Sequence, residues 1–159
     1  MGEIDEIRAR LWNEERSEQN SDRLLEQYKL YVEMADRISQ RRGAANTFFL
    51  TFNTAVVGAL AGLYDKVPPK VSPALFAAAG VLAITWAVLL RSYRNLNSAK
   101  FTVIGLFEER LPANLYYKAE WKALGEGDDL RKYIPLSAIE MTVPLVFLAI
   151  YIYLFVIWG

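Results

Sequence analysis

The sequence predicts an all-α membrane protein: three transmembrane helices with long helical cytoplasmic extensions, N-terminus in and C-terminus out. Three observations lead there. Residues 44–64, 73–90 and 141–158 contain no Asp, Glu, Lys or Arg, and each block is close to the roughly 20 residues a helix needs to cross a bilayer. The charges crowd instead into residues 1–42 and 91–140. Eight Lys/Arg precede the first block and eight lie between the second and third, while only Lys66 and Lys70 sit between the first and second. By the positive-inside bias, residues 1–43 and 91–140 face the cytoplasm, and the 65–72 turn and the C-terminus face the other side.

Taken in chain order, residues 1–20 read either as a mobile terminus or as an amphipathic helix with Ile4, Ile7 and Leu11 along one side. Residues 21–43 form a cytoplasmic helix. Ser21 caps it, and Leu24, Leu25, Tyr28, Tyr31, Val32, Ala35 and Ile38 make an apolar stripe that needs a partner. No proline separates this helix from the first span, 44–64, so the two can be continuous, with Gly43 as the hinge if the helix bends. Pro68 and Pro69 break the 65–72 turn and send the second span, 73–90, back antiparallel. Ala79, Ala83 and Ala87 recur every four residues beside Gly80, a pattern that favours helix against helix. Thr85 is expected to bond its own backbone, and Trp86 and Tyr93 are expected near the membrane interface.

Leu96, Val103, Ile104, Phe107 and Leu111 carry the helical pattern on into 91–140. Pro112 suits the first turn of a further helix, which ends at the acidic loop Gly125-Glu126-Gly127-Asp128-Asp129, read as a plain turn. Ser137-Ala138-Ile139-Glu140 has the form of a capping box before the third span, 141–158. That span is bulky and aromatic, as for an outer, lipid-contacting helix, and Pro144 lies in its first turns. A cleavable secretory leader is not expected.

Composition narrows the chemistry. There is no Cys and no His, which removes thiol nucleophiles, disulfides and the histidine-based triads from the chain. Lys+Arg and Asp+Glu balance at 18 each, so no net charge points to nucleic acid. No phosphate-binding or dinucleotide fingerprint occurs. The reading is therefore of no catalytic residues, no cofactor, no metal and no evident small-molecule substrate.

The candidate functional residues lie in the first span. Asn46, Thr47, Thr51, Asn53, Thr54, Gly58 and Gly62 are expected on a small, polar half of the helix, opposite Phe48, Phe49, Phe52, Val56 and Leu60. Polar groups in hydrocarbon are costly unless paired, so this half should avoid lipid. It serves either as a packing face, with Gly58 and Gly62 permitting close approach, or as the lining of a hydrated path. Arg41, Arg42, Arg91 and Arg94 are candidate contacts for lipid headgroups. Glu108-Glu109-Arg110 and Glu120-Trp121-Lys122 are expected on solvated or intersubunit faces. The apolar stripes Leu24–Ile38 and Leu96–Leu111 exceed what so small a cytoplasmic part can cover, which favours a homo-oligomer.

Several runs also resemble a known family. Tyr28-Lys29-Leu30-Tyr31-Val32-Glu33-Met34-Ala35-Asp36-Arg37-Ile38-Ser39-Gln40-Arg41-Arg42, then Ala45-Asn46-Thr47-Phe48-Phe49, is similar to the RipA-type octameric membrane proteins of bacteria. So are Arg91-Ser92-Tyr93-Arg94-Asn95-Leu96-Asn97 with Lys100-Phe101, and Leu136-Ser137-Ala138-Ile139-Glu140 with Val143-Pro144. The resemblance implies a bacterial inner-membrane homo-oligomer, an octamer, and supplies no active-site residues. The outline is also similar to the SLATT-type two-span effectors of bacterial defence, which perforate membranes. Two functions follow as expectations: a non-enzymatic scaffold or stress-related assembly, or a pore or channel.

Overall fold

The computed structural model describes residues 2–12, 21–63, 66, 68, 71–125 and 131–158, and every regular element among them is helical. The order is α1 (Glu3–Leu11), α2 (Ser21–Gly62), α3 (Ser72–Glu108), a π-helical turn (Leu115–Glu120) leading directly into α4 (Trp121–Ala123), and α5 (Leu136–Trp158). Helices α2, α3 and α5 are long and apolar enough to cross a membrane. The Ser21 side chain, residues 13–20, most of the 65–70 turn and the acidic residues of the 126–129 loop lie outside the described residues. Helix α2 continues through Gly43, where an added Cβ would meet nothing within 4 Å.

The chain divides into two compact units. The polar unit comprises Met1–Ser39 and Asn95–Ile134. Its core is Tyr28 and Ala35 of α2 against Ile104 and Phe107 of α3. Helix α1 starts with Glu3, Asp5 and Glu6 and ends with Arg8 and Arg10, charges that suit the two ends of a helix dipole. It brings Leu11 and Trp12 onto the core. The Trp12 ring lies 5.3 Å from Phe107, and the Arg110 guanidinium stands 3.6 Å above it. Arg8 clasps Glu109 through two 3.0 Å hydrogen bonds.

Two expectations change in this unit. The helix assigned to start at Pro112 starts at Leu115. Asn114 Oδ1 accepts from the Lys118 N–H and Glu108 Oε1 from the Tyr116 N–H, so the orphan donors of the first turn find acceptors only from Asn114 onward. The segment closes at Gly125, whose φ of 83° is one that L side chains rarely adopt. Glu108, expected on an exposed face, is 1% exposed; it is drawn inward because two donors meet it there.

The apolar unit comprises Gln40–Arg94 and Pro135–Gly159. Leu60, Phe76, Ala79, Ala83 and Tyr151 form its buried core. The alanine spacing does bury Ala79 and Ala83, and Gly80 lets Leu148 approach to 3.7 Å of where its Cβ would lie. Thr85 donates to the Val81 carbonyl. Helix α5 buries Pro144 and Tyr151 and exposes Leu145, Val146, Ile152 and Val156, a surface suited to hydrocarbon. Trp86, expected at the interface, is instead wholly buried. Its ring stacks on Phe49 and tilts against Phe147, at 5.9 and 6.0 Å. The capping box at Ser137 is also not made as expected. Helix α5 begins at Leu136, and Glu140 turns to Arg42 at 3.3 Å, because a guanidinium attracts a half-dry carboxylate more strongly than a neutral N–H does.

Candidate functional site

In the apolar unit, the polar half of α2 divides into two lines. Asn46 and Asn53 point into the bundle. Asn46 Oδ1 accepts from the Trp86 indole N–H at 3.1 Å. Asn53, 1% exposed, accepts from the Tyr151 hydroxyl at 2.8 Å through Oδ1 and donates from Nδ2 to the Phe49 carbonyl at 2.8 Å. Each amide oxygen is thus paired with an aromatic donor from another helix of the same chain. Such pairing is what a polar group in a dry bundle requires.

Thr47, Thr51, Thr54, Gly58 and Gly62 are all exposed. At 100° per residue their positions fall within about 80° of one another, and that stripe points roughly 130° away from the two asparagines. Thr54 donates to the Leu50 carbonyl at 2.8 Å. A Cβ added at Gly58 or Gly62 would meet nothing within 4 Å. The stripe is therefore a surface of small residues that no side chain among the described residues covers.

The four arginines also separate. Arg41, Arg91 and Arg94 are exposed. Arg42 is paired with Glu140, each side chain 14% exposed. Arg42 Nε and Glu140 Oε2 have no hydrogen-bond partner of good geometry, so this contact is mainly a charge pair across α2 and α5.

Sequence reasoning missed Tyr151 and Glu140 as partners of singled-out residues. Their signals were an aromatic hydroxyl in the middle of one apolar block and a carboxylate at its border. In the polar unit it missed the Tyr28–Glu108 pair, in which the phenol donates to Oε1 at 3.0 Å. Burial pushes the Tyr28 phenol well above its ordinary range, and the Glu108 carboxylate beside it adds to the shift.

The model of the octameric membrane protein family (8xMP) matches residues 25–158. The chain belongs to the octameric membrane protein family. The match takes in α2 from Leu25 onward, all of α3 and all of α5. No curated protein and no solved structure matches the chain. As a member of the octameric membrane protein family with three apolar helices, the chain is a multi-pass, oligomeric membrane protein, and the family's description names no enzymatic activity.

Proposed function

We propose that the chain is a non-catalytic subunit of a homo-octamer in a bacterial inner membrane, and that the threonine–glycine stripe of α2 packs against a different surface of a neighbouring copy. One observation carries this reading: Asn46 and Asn53 are satisfied by Trp86 and Tyr151 of their own chain, while Thr47, Thr51, Thr54, Gly58 and Gly62 remain uncovered. Small residues let helix backbones approach closely, and dispersion and packing drive association where lipid tails remove the hydrophobic incentive. In this assembly residues 1–43 and 91–140 face the cytoplasm, and Arg41, Arg91 and Arg94 meet anionic headgroups. The family's description as octameric supports eight copies.

The test is Gly58→Leu. With nothing within 4 Å of an added Cβ and position 58 exposed, the chain keeps its fold, and the purified particle should fall from eight copies to fewer by light scattering. An unchanged mass would overturn the stripe as an interface. Sidedness is tested by an impermeant thiol reagent, since the chain has no cysteine of its own. Lys66→Cys should label from outside and Glu126→Cys should not.

The pore reading draws on the same stripe, through its three exposed threonine positions. Dye release from vesicles that is lost in Thr51→Leu but kept in Asn53→Leu would favour a hydrated path along the threonines over packing.

A further inference from the structure

The polar unit holds an open groove of about 530 Å³ beside α2. Val32, Ala35 and Ile104 line its apolar part. Phe101 and Tyr116, ring centroids 6.2 Å apart, add aromatic surface. Lys29, Glu33 and Asp36 bring one positive and two negative charges to its lining.

On the other side of α2, Leu30 and Met34 are 58% and 43% exposed, and the exposed Arg23 and Arg37 lie along the same line. At 100° per residue, this ridge and the groove-lining side of α2 point roughly 160° apart. Positions 30, 34 and 37 follow the three-and-four spacing of a helix seam, with position 23 one heptad before Leu30. One side of the helix therefore presents exposed apolar side chains, and the opposite side borders an apolar, aromatic groove.

That complementarity on opposite sides of one chain is what a ring needs, because each subunit of a cyclic oligomer presents two different surfaces to its two neighbours. We propose that Leu30 and Met34 of one copy seat in the Phe101–Tyr116 groove of the next, so that the polar unit forms a second contact between subunits besides the α2 stripe. The occupant is a second copy of this chain, and the inference rests on the homo-oligomer reading above. Arg37 is paired with Glu33 of its own chain at 2.7 Å, so the contact is carried by apolar and aromatic surface rather than by charge.

The test uses the absence of native cysteine. Met34→Cys and Phe101→Cys are combined in the full chain, in membranes, and oxidised. Because Met34 of α2 faces away from the groove that Phe101 of α3 lines, disulfides form only between copies, and a ladder of covalent oligomers reaching eight is expected. Neither single variant should give one. Leu30→Glu, an exposed change that leaves the fold intact, should reduce the ladder at least tenfold. No ladder from a particle that light scattering shows to be octameric would overturn the groove contact and leave the octamer standing. Dimers from Met34→Cys alone would overturn it too, since they require like surfaces to face each other. A monomeric particle would remove this inference and the proposed function together.

Discussion

Substituting Tyr151 by Phe removes one oxygen from the centre of the apolar unit and leaves the ring in place. The lost hydrogen bond is short, 2.8 Å to Asn53 Oδ1, and both residues are 1% exposed. Water cannot replace the missing donor there, so Asn53 Oδ1 is left unpaired. Hydrogen bonds between helices in membranes contribute on average about 0.6 kcal/mol and at most about 1.7. Two features of this pair set where it falls in that range. Full burial pushes the value up. The Tyr151 hydroxyl also lies 3.4 Å from the Asn53 backbone carbonyl, an alternative acceptor that survives in Asn53→Leu and pulls the coupling down. A double-mutant cycle of Tyr151→Phe with Asn53→Leu should therefore give a coupling of about 1 kcal/mol, roughly a fivefold change in equilibrium constant. The assay is reversible unfolding in mixed lipid–detergent micelles, followed by helical circular dichroism. A coupling below about 0.3 kcal/mol would refute the pairing, because uncoupled residues add within that margin.

Three further outcomes are expected. Arg42→Gln or Glu140→Gln should each destabilise the protein by roughly 3 kcal/mol, the low end for breaking a buried ion pair, and the exchange Arg42→Glu with Glu140→Arg should recover part of it in the same unfolding assay. Because burial and then Glu108 raise the Tyr28 pKa above the ordinary phenol value of 10.0, the unfolded chain releases the phenolic proton before the folded chain does. Stability should be unaffected by this group below about pH 10 and should fall above it, by up to about 1.4 kcal/mol per pH unit; Tyr28→Phe should flatten that slope. Gly80→Ala should be neutral or stabilise by about 0.5 kcal/mol, since its Cβ meets Leu148 at an ordinary 3.7 Å and glycine inside a helix costs conformational entropy.

Much of the architecture was legible because it depends on long runs. Three charge-free blocks of membrane-spanning length and an unbroken helical pattern on either side of Gly43 are one-dimensional properties, and periodicity reads them directly. The small-residue spacing of Ala79 and Ala83 was legible for the same reason. The candidate site was read less well. The angular gap between Asn46/Asn53 and the threonine–glycine stripe was already present in residue spacing, but which of the two lines faces inward was not. Trp86 illustrates the difficulty from the other side: an amphipathic ring near the end of a span suits the interface, and it is buried because Asn46 supplies the acceptor its N–H needs.

Composition and order thus determined by themselves that this is a helical membrane protein with three spans, without the thiol or imidazole groups of the commonest catalytic schemes, and with a surplus of apolar surface that favours assembly. Tertiary structure decided which partner each buried polar group takes. Glu108 is satisfied by Tyr28 and the Tyr116 N–H, Glu140 is drawn to Arg42, and the two asparagines are paired with Trp86 and Tyr151. Each of these pairings joins residues far apart in the chain or replaces a local one such as the capping box. The physical reason is that a buried polar group takes the partner that packing brings within reach, and periodicity says which side of a helix a residue occupies but not what lies across from it.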